Sequence, residues 1–337
     1  MICVMPLSVI PAKAGIPLLF LAGKGSGIPA FAGMTERGMA WLCALLVAGA
    51  CLFLTTPAIA RGGRVPGELV RLPDGRHLNL RCEGAGRPII LFEGGFGAQS
   101  LAWSKVQALV GRSHRSCSYD RAGYGGSDPG PLPRDGASIA RDLDDALRAE
   151  RIAGPFVLVG HSTGGLYVRL FADRRPGDIA GMVLVDPSVP YQQQRFAATF
   201  GAGAGSTAGI RARHAKCLAS PPAKPPSPPM DETERLARCR NRISELDTLW
   251  LATSDQVGAK TRSKYDFPLI VLTAGRTYSG MPAAYWFGLH DEAAASSTRG
   301  SNRLVADSSH MMMSDRPDAI HAAIEEVIAE AGNAKGR

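Results

Sequence analysis

One short stretch restricts the possible folds of this chain more than any other. An apolar run, PFVLV at 155–159, leads directly into Gly160-His161-Ser162-Thr163-Gly164-Gly165, and a helix-like LYVRLFADRR follows. Strand, G-x-S-x-G and helix together are the context a nucleophile elbow requires. A sharp strand-to-helix turn crowds the backbone, so the residues two positions either side of the serine must have almost no side chain. The pattern predicts Ser162 in a strained turn with its hydroxyl exposed. It also puts the Thr163 N–H at a helix N-terminus, where unpaired donors and the helix dipole favour a developing oxyanion.

The rest of the chain supplies a setting for that turn. After about Leu69, short apolar runs alternate with amphipathic stretches, the signature of an α/β fold with a mostly parallel central sheet flanked by helices. We expect strands at Leu78–Cys82, Pro88–Glu93, Arg115–Tyr119, Pro155–Gly160, Ile179–Asp186, Pro268–Ala274 and Arg303–Ala306. Between Ser138 and Arg151, Ile139, Leu143, Ala146 and Leu147 share one helix face, opposite Arg141, Asp144, Asp145 and Arg148. A further helix is expected from Pro317 to Ala331. The alternation stops between Pro187 and Lys264, where GAGAGSTAG, PPAKPPSPP and a charged helix around Asp231–Leu249 succeed one another. We read residues 187–264 as an inserted lid, its Gly-rich piece as a mobile loop rather than a phosphate cradle, because that piece neither follows a strand nor opens a clear helix.

The N-terminal sixty residues stand apart from this domain. IPAKAG at 10–15 and IPAFAG at 28–33 nearly duplicate one another in a Gly/Pro-rich stretch, so residues 1–33 are expected to be a non-native or disordered leader, the real start being Met34 or Met39. Residues 34–60 read as a signal peptide, with an apolar run from Ala40 to Leu54 and a small-x-small Ala58-Ile59-Ala60 for cleavage. The alternative is an uncleaved membrane anchor, since about 20 apolar residues span a bilayer. Cys51 is not expected to be lipidated, because Leu52-Phe53-Leu54 continue the apolar run beyond it. Residues 61–337 form the folded domain, expected to be exported to the periplasm or secreted. In such a compartment Cys82, Cys117, Cys217 and Cys239 are candidates for two disulfides or for buried free thiols, and their spacing matches no zinc pattern. The net charge of +8 is spread among acidic residues without a basic block. That excludes a nucleic-acid tail and leaves a solvated basic surface. A membrane partner is expected only if the N-terminal segment stays attached.

A serine hydroxyl needs a base within hydrogen-bond reach to act as a nucleophile. Of seven histidines, His310 follows the last expected strand in LVADSSHMMM and precedes the final helix, which puts it on a loop at the end of the sheet. His161 lies inside the elbow and should point away from the Ser162 hydroxyl. His321 falls in the last helix and is expected to be solvated, and His77, His114, His214 and His290 lack comparable placement.

With serine, elbow and histidine in this order, the chain resembles the α/β-hydrolase superfamily, in its branch of small serine hydrolases, over about Leu69 to Ala331. Asp120, Arg121, Gly123, Gly125 and Ser127 match the branch's D-R-x-G-x-G-x-S turn. Gly94-Gly95-Phe96-Gly97, with Trp103 beyond, is similar to its oxyanion loop, although Gly94 stands where the family commonly has His. The resemblance implies acyl transfer to water: Ser162 as nucleophile, His310 as base, and the Thr163 and Phe96 N–H groups as the oxyanion hole. A serine at this position separates the chain from dehalogenase and epoxide-hydrolase members, which carry Asp there. A small-molecule ester, lactone or amide would suit this set, and no cofactor is called for. A non-catalytic binding protein on the same scaffold would be recognised by a damaged triad, whereas serine and histidine are intact here. The family's strand order implies that Cys82 lies near Cys117, and Cys217 and Cys239 bracket the Pro-rich lid segment. The acid departs from the family's usual place. Residues 277–280, where the family most often carries it, read Thr-Tyr-Ser-Gly. A minority of the family uses the carboxylate ending the preceding strand, which here is Asp186, with Asp291 and Asp307 as alternatives.

Overall fold

Phe156-Val157-Leu158-Val159 has no polar face, so it can be satisfied only where both sides of a sheet are covered. That is where it lies: strand β5 (Phe156–His161) is buried along its whole length near the middle of an eight-stranded sheet. The computed structural model describes residues 67–220, 230–259, 264–276 and 282–335. The signal-peptide and leader assignments, the Pro-rich run at 221–229 and the 277–280 stretch fall outside the described residues. Among the described residues no helix is long and apolar enough to cross a membrane.

The other strands are β1 (Glu68–Arg71), β2 (His77–Glu83), β3 (Ile89–Glu93), β4 (Ser116–Tyr119), β6 (Ile179–Val185), β7 (Tyr265–Ala274) and β8 (Ser297–Val305). Their order in the sheet is β1-β2-β4-β3-β5-β6-β7-β8, with β1 and β2 antiparallel and all pairs from β3 onward parallel. Helices α1 (Ser104–Val110), α2 (Gly136–Ala149) and α3 (Gly164–Arg174) precede the lid, and α8 (Ala283–Ala294), α9 (Met312–Asp315) and α10 (Pro317–Lys335) follow it. One apolar cluster joins α2 and α3 to one sheet face through Leu143, Leu147, Leu158 and Phe171. A second joins α1 and α10 to the opposite face through Val106, Val159, Val183 and Ile324. The α/β architecture expected from the alternation is therefore present.

Several local expectations need correction. Strand β1 was not anticipated, because Glu68-Leu-Val-Arg71 is short and mostly exposed. Strand β8 starts at Ser297, well before Arg303. Its sequence STRGSNRLV lacks an apolar pattern because an edge strand is held by its backbone pairing to β7 and one face stays wet. On α2, Asp144 is not on a solvent face: its side chain is buried and meets Arg175 Nε at 2.6 Å and Arg174 Nη2 at 3.1 Å. His321 is half-buried beside Glu325 at 3.3 Å rather than solvated.

The 187–264 segment, read above as a lid, is more helical than its composition suggests. It contains α4 (Gln192–Phe200), α5 (Ala208–Ala219), α6 (Glu232–Thr248), a π-turn at Leu249–Thr253 and α7 (Ser254–Ala259). The Gly-rich stretch is thus a short connection between α4 and α5. Both anticipated cysteine pairs are bonded, Cys82 to Cys117 across the β2–β4 pair and Cys217 on α5 to Cys239 on α6.

Candidate active site

Ser162 stands where β5 breaks into α3, with φ of 52°, in the left-handed region that side chains avoid. Such a conformation costs about 1–3 kcal/mol and persists only when its surroundings enforce it. Here the Ser162 N–H donates to Val185 O at 3.1 Å and Ser162 O accepts from the Gly165 N–H at 3.0 Å. A Cβ on Gly160 would lie 2.7 Å from Gly164 O, and one on Gly164 would lie 2.5 Å from Glu93 O. Gly160 is pressed against the first turns of α3 and Gly164 against the end of β3, which is why both positions must be glycine. Thr163 caps α3, so its amide sits at the positive end of that helix.

The loop Gly94-Gly95-Phe96-Gly97 runs beside the elbow, since a Cβ on Gly95 would stand 2.9 Å from Ser162 Cβ. Behind the loop lies Arg121, 2% exposed. Its Nη1 donates to Gly94 O and to Glu93 Oε1, both at 2.7 Å, and its Nη2 donates to Gly95 O at 2.8 Å and to Glu245 Oε1 on α6 at 2.9 Å. Burial pushes the Glu93 carboxyl above its usual range, countered in part by Arg121 and by the Tyr119 hydroxyl that donates to it. The D-R-x-G-x-G-x-S segment is therefore more than a tight turn. It and the residues just after it seat helix α6: Arg238 Nη1 donates to Gly125 O at 3.1 Å, and Asn241 accepts from the Gly130 N–H at 2.6 Å and donates to Gly130 O at 2.8 Å.

His310 lies on the loop after β8, its Nδ1 2.6 Å from Asp186 Oδ2. Asp186 directly follows β6, is fully buried, and accepts through Oδ1 from the Ala274 N–H at 3.1 Å and from Trp286 Nε1–H at 3.0 Å. Burial alone would raise its pKa. The bond to His310 and the charge of that ring outweigh burial, and the carboxyl stays below its usual range. A carboxylate only accepts, so the proton of neutral His310 is on Nδ1 and Nε2 carries the basic lone pair. Of the alternative acids, Asp291 accepts from Asn302 Nδ2 at 3.0 Å and Asp307 is exposed.

Two further histidines support this arrangement. His161 Nε2–H donates to the backbone carbonyl of His310 at 2.8 Å, with the two rings 4.6 Å apart. Burial and the neighbouring His310 ring push the His161 imidazole down to about 3, so it is neutral at pH 7. His290 Nε2–H donates to Pro187 O at 2.9 Å and its ring packs on Trp286. Trp286, His290, Glu93 and Glu245 were not foreseen from the sequence. Only Glu93, standing directly before the glycine loop, offered a local sign.

Ser162, Thr163, Phe96, His161 and His310 all line one cavity of about 810 Å³, roofed by the lid. Its remaining wall is largely apolar, with Phe196, Phe200, Ile210, Leu246, Leu249 and Trp250 among the lining residues. Among the described residues no group of three His, Cys, Asp or Glu side chains is placed to hold a metal ion.

Residues 90–323 match the family model described as "Alpha/beta hydrolase family". The chain belongs to that family. Along this hydrolase, YqjL of Bacillus subtilis, itself uncharacterized, is 27% identical over 247 residues, 73% of the chain and 85% of that protein. A Hormonema carpetanum protein named as a transporter, efuK, is 37% identical over 115 residues, 33% of the hydrolase. The hydrolase spans 16% of that relative's length, so only a part of it is comparable. An esterase from Thermogutta terrifontis has the same fold, with a TM-score of 0.55 at 17% identity over 79% of this chain and 99% of that one.

Proposed function

We propose that this hydrolase is an exported serine esterase that cleaves a carboxylic ester, or a similar acyl bond, through an acyl-enzyme. Ser162 Oγ attacks the acyl carbon while His310 Nε2 takes its proton. Asp186 fixes the His310 tautomer and stabilises the imidazolium that forms. The Thr163 and Phe96 N–H groups receive the oxyanion, each donor being worth roughly 10² to 10³ in rate. The imidazolium then protonates the leaving alcohol, and water, activated by the same histidine, releases the acid.

The observation that carries this reading is the 2.6 Å contact of His310 Nδ1 with a fully buried Asp186, in a cavity that Ser162 and His310 share. An apolar carboxylate pocket with no such partner would have no reason to keep an aspartate ionised. The apolar wall suits an uncharged acyl chain better than an acidic or sugar-like one. Two cysteine pairs at bonding distance are compatible with export.

A panel of chromogenic esters of increasing acyl length, run on the wild type and Ser162→Ala, tests the reading. Loss of at least about 10³-fold in the variant, with loss of labelling by a fluorophosphonate probe, is the expected result. Undiminished labelling of Ser162→Ala would refute it.

A further inference from the structure

We propose that Arg121 is the positioning residue of the oxyanion hole, and that Glu245 on lid helix α6 holds it in place. The assignment rests on the acyl-transfer reading above. In a trans peptide the C=O and the following N–H point in opposite directions. The Gly95 carbonyl and the Phe96 N–H belong to one such peptide. When Arg121 Nη2 takes the Gly95 carbonyl at 2.8 Å, the Phe96 N–H is turned the other way, away from Arg121.

The loop needs such a restraint. Consecutive glycines leave its backbone torsions loosely defined, Gly94 provides no side chain to fix them, and the chain's own hold on the Gly95 carbonyl is the Ala98 N–H at 3.1 Å, longer than the Arg121 contact. Arg121 takes the Gly94 carbonyl as well, at 2.7 Å, so two successive peptides are oriented by one planar cation. A guanidinium suits this because its donors lie in a rigid fork, whereas a lysine would offer a single mobile point charge. The fork is itself held. Glu245 Oε1 and Oε2 face Nη2 and Nε at 2.9 and 3.3 Å, Glu93 faces Nη1, and the rings of Tyr124 and Tyr167 lie 5.0 and 5.3 Å from the guanidinium carbon. Tyr167 OH also donates to Glu245 Oε1 at 3.2 Å. Glu245 comes from the lid, so the seating of α6 and the direction of the Phe96 N–H depend on the same side chain.

A matched pair of substrates reads this directly: an aryl ester and its thiono analogue, in which sulfur replaces the carbonyl oxygen and fits an oxyanion hole poorly. The wild type should turn over the oxo ester far faster than the thiono ester, in a Ser162-dependent way. Arg121→Lys should lower kcat for the oxo ester by roughly 10² with KM nearly unchanged, the loss expected for one oxyanion donor. Its kcat for the thiono ester should fall much less, so the oxo/thiono ratio collapses. Glu245→Gln should move the ratio in the same direction, by about tenfold. A merely structural role would slow both substrates equally. Should Arg121→Lys fail to fold, judged by near-UV circular dichroism, Glu245→Gln carries the test alone. An unchanged ratio in a folded variant overturns the assignment while leaving the esterase reading intact. A wild type without Ser162-dependent oxo-ester hydrolysis overturns the esterase reading, and this assignment with it.

Discussion

His161 should make the hydrolase acid-sensitive in a way that a single substitution can isolate. In the fold the imidazole is 3% exposed and its titration is pushed down to about 3, against an ordinary value of 6.5. The unfolded chain therefore binds a proton that the folded chain refuses. Because the folded value is depressed, the associated stability is fully present above about pH 6.5 and is lost as pH falls toward 3. Each pH unit within that window removes about 1.4 kcal/mol, which gives a loss of about 3 kcal/mol by pH 4.5. His161→Gln keeps an N–H donor that can reach the His310 carbonyl but cannot titrate. Its absolute stability at pH 7 is of little interest, since packing against Trp103 and Gly95 will differ. The slope is what matters. Urea midpoints followed by tryptophan fluorescence between pH 7 and pH 4.5 should fall more steeply for the wild type than for His161→Gln. Groups that do not interact with His161 titrate equally in both proteins and cancel in the difference. Parallel profiles would refute the depressed value and the neutral-tautomer role built on it.

Asp186→Asn should leave the fold intact and lower kcat by up to about 10⁴, because the amide no longer selects the Nδ1–H tautomer of His310. Asp291→Asn and Asp307→Asn should stay near wild-type turnover; the opposite pattern in ester kinetics would move the acid. Non-reducing peptide maps should show Cys82 with Cys117 and Cys217 with Cys239, and four free thiols would contradict both pairings. Removing the Cys217–Cys239 link, which closes a separation of 22 residues, should cost about 3 kcal/mol in a denaturant melt.

What could be read from the sequence depended on whether a feature was local. The elbow is legible because strand, glycines and helix N-terminus are contiguous, and the steric demand on Gly160 and Gly164 comes from residues in or beside that turn. The position of Asp186 at the end of an apolar strand, within reach of His310, was legible from the run that precedes it. Its partner Trp286 was not, because nothing in the sequence of α8 reveals which side chain faces β6. Helices α4 and α5 escaped notice since glycines and alanines around 200–210 mask weak amphipathic stretches that are stabilised by packing on the domain. Strand β8 was shortened because an edge strand needs no apolar alternation. Arg121 was visible within its motif, yet its meaning lies in Glu245, which is 124 positions away. Asp144 was misplaced on the wet face for a similar reason: its cations come from the end of α3 and just beyond.

Strands β5 and β6 are neighbours joined by α3 and a short 3-10 turn at Pro176–Asp178, so Ser162 and Asp186 arrive together in one strand–helix–strand cassette. The proposed nucleophile and acid can then be inherited, or grafted into another sheet, as a single continuous block. The stretch inserted between β6 and β7 then becomes a region where insertions and deletions leave the spacing of that pair unaltered, provided β7, Trp286 and His310 still return to the same edge. In such a chain, substrate preference can drift through lid remodelling while the proposed nucleophile and acid keep their geometry.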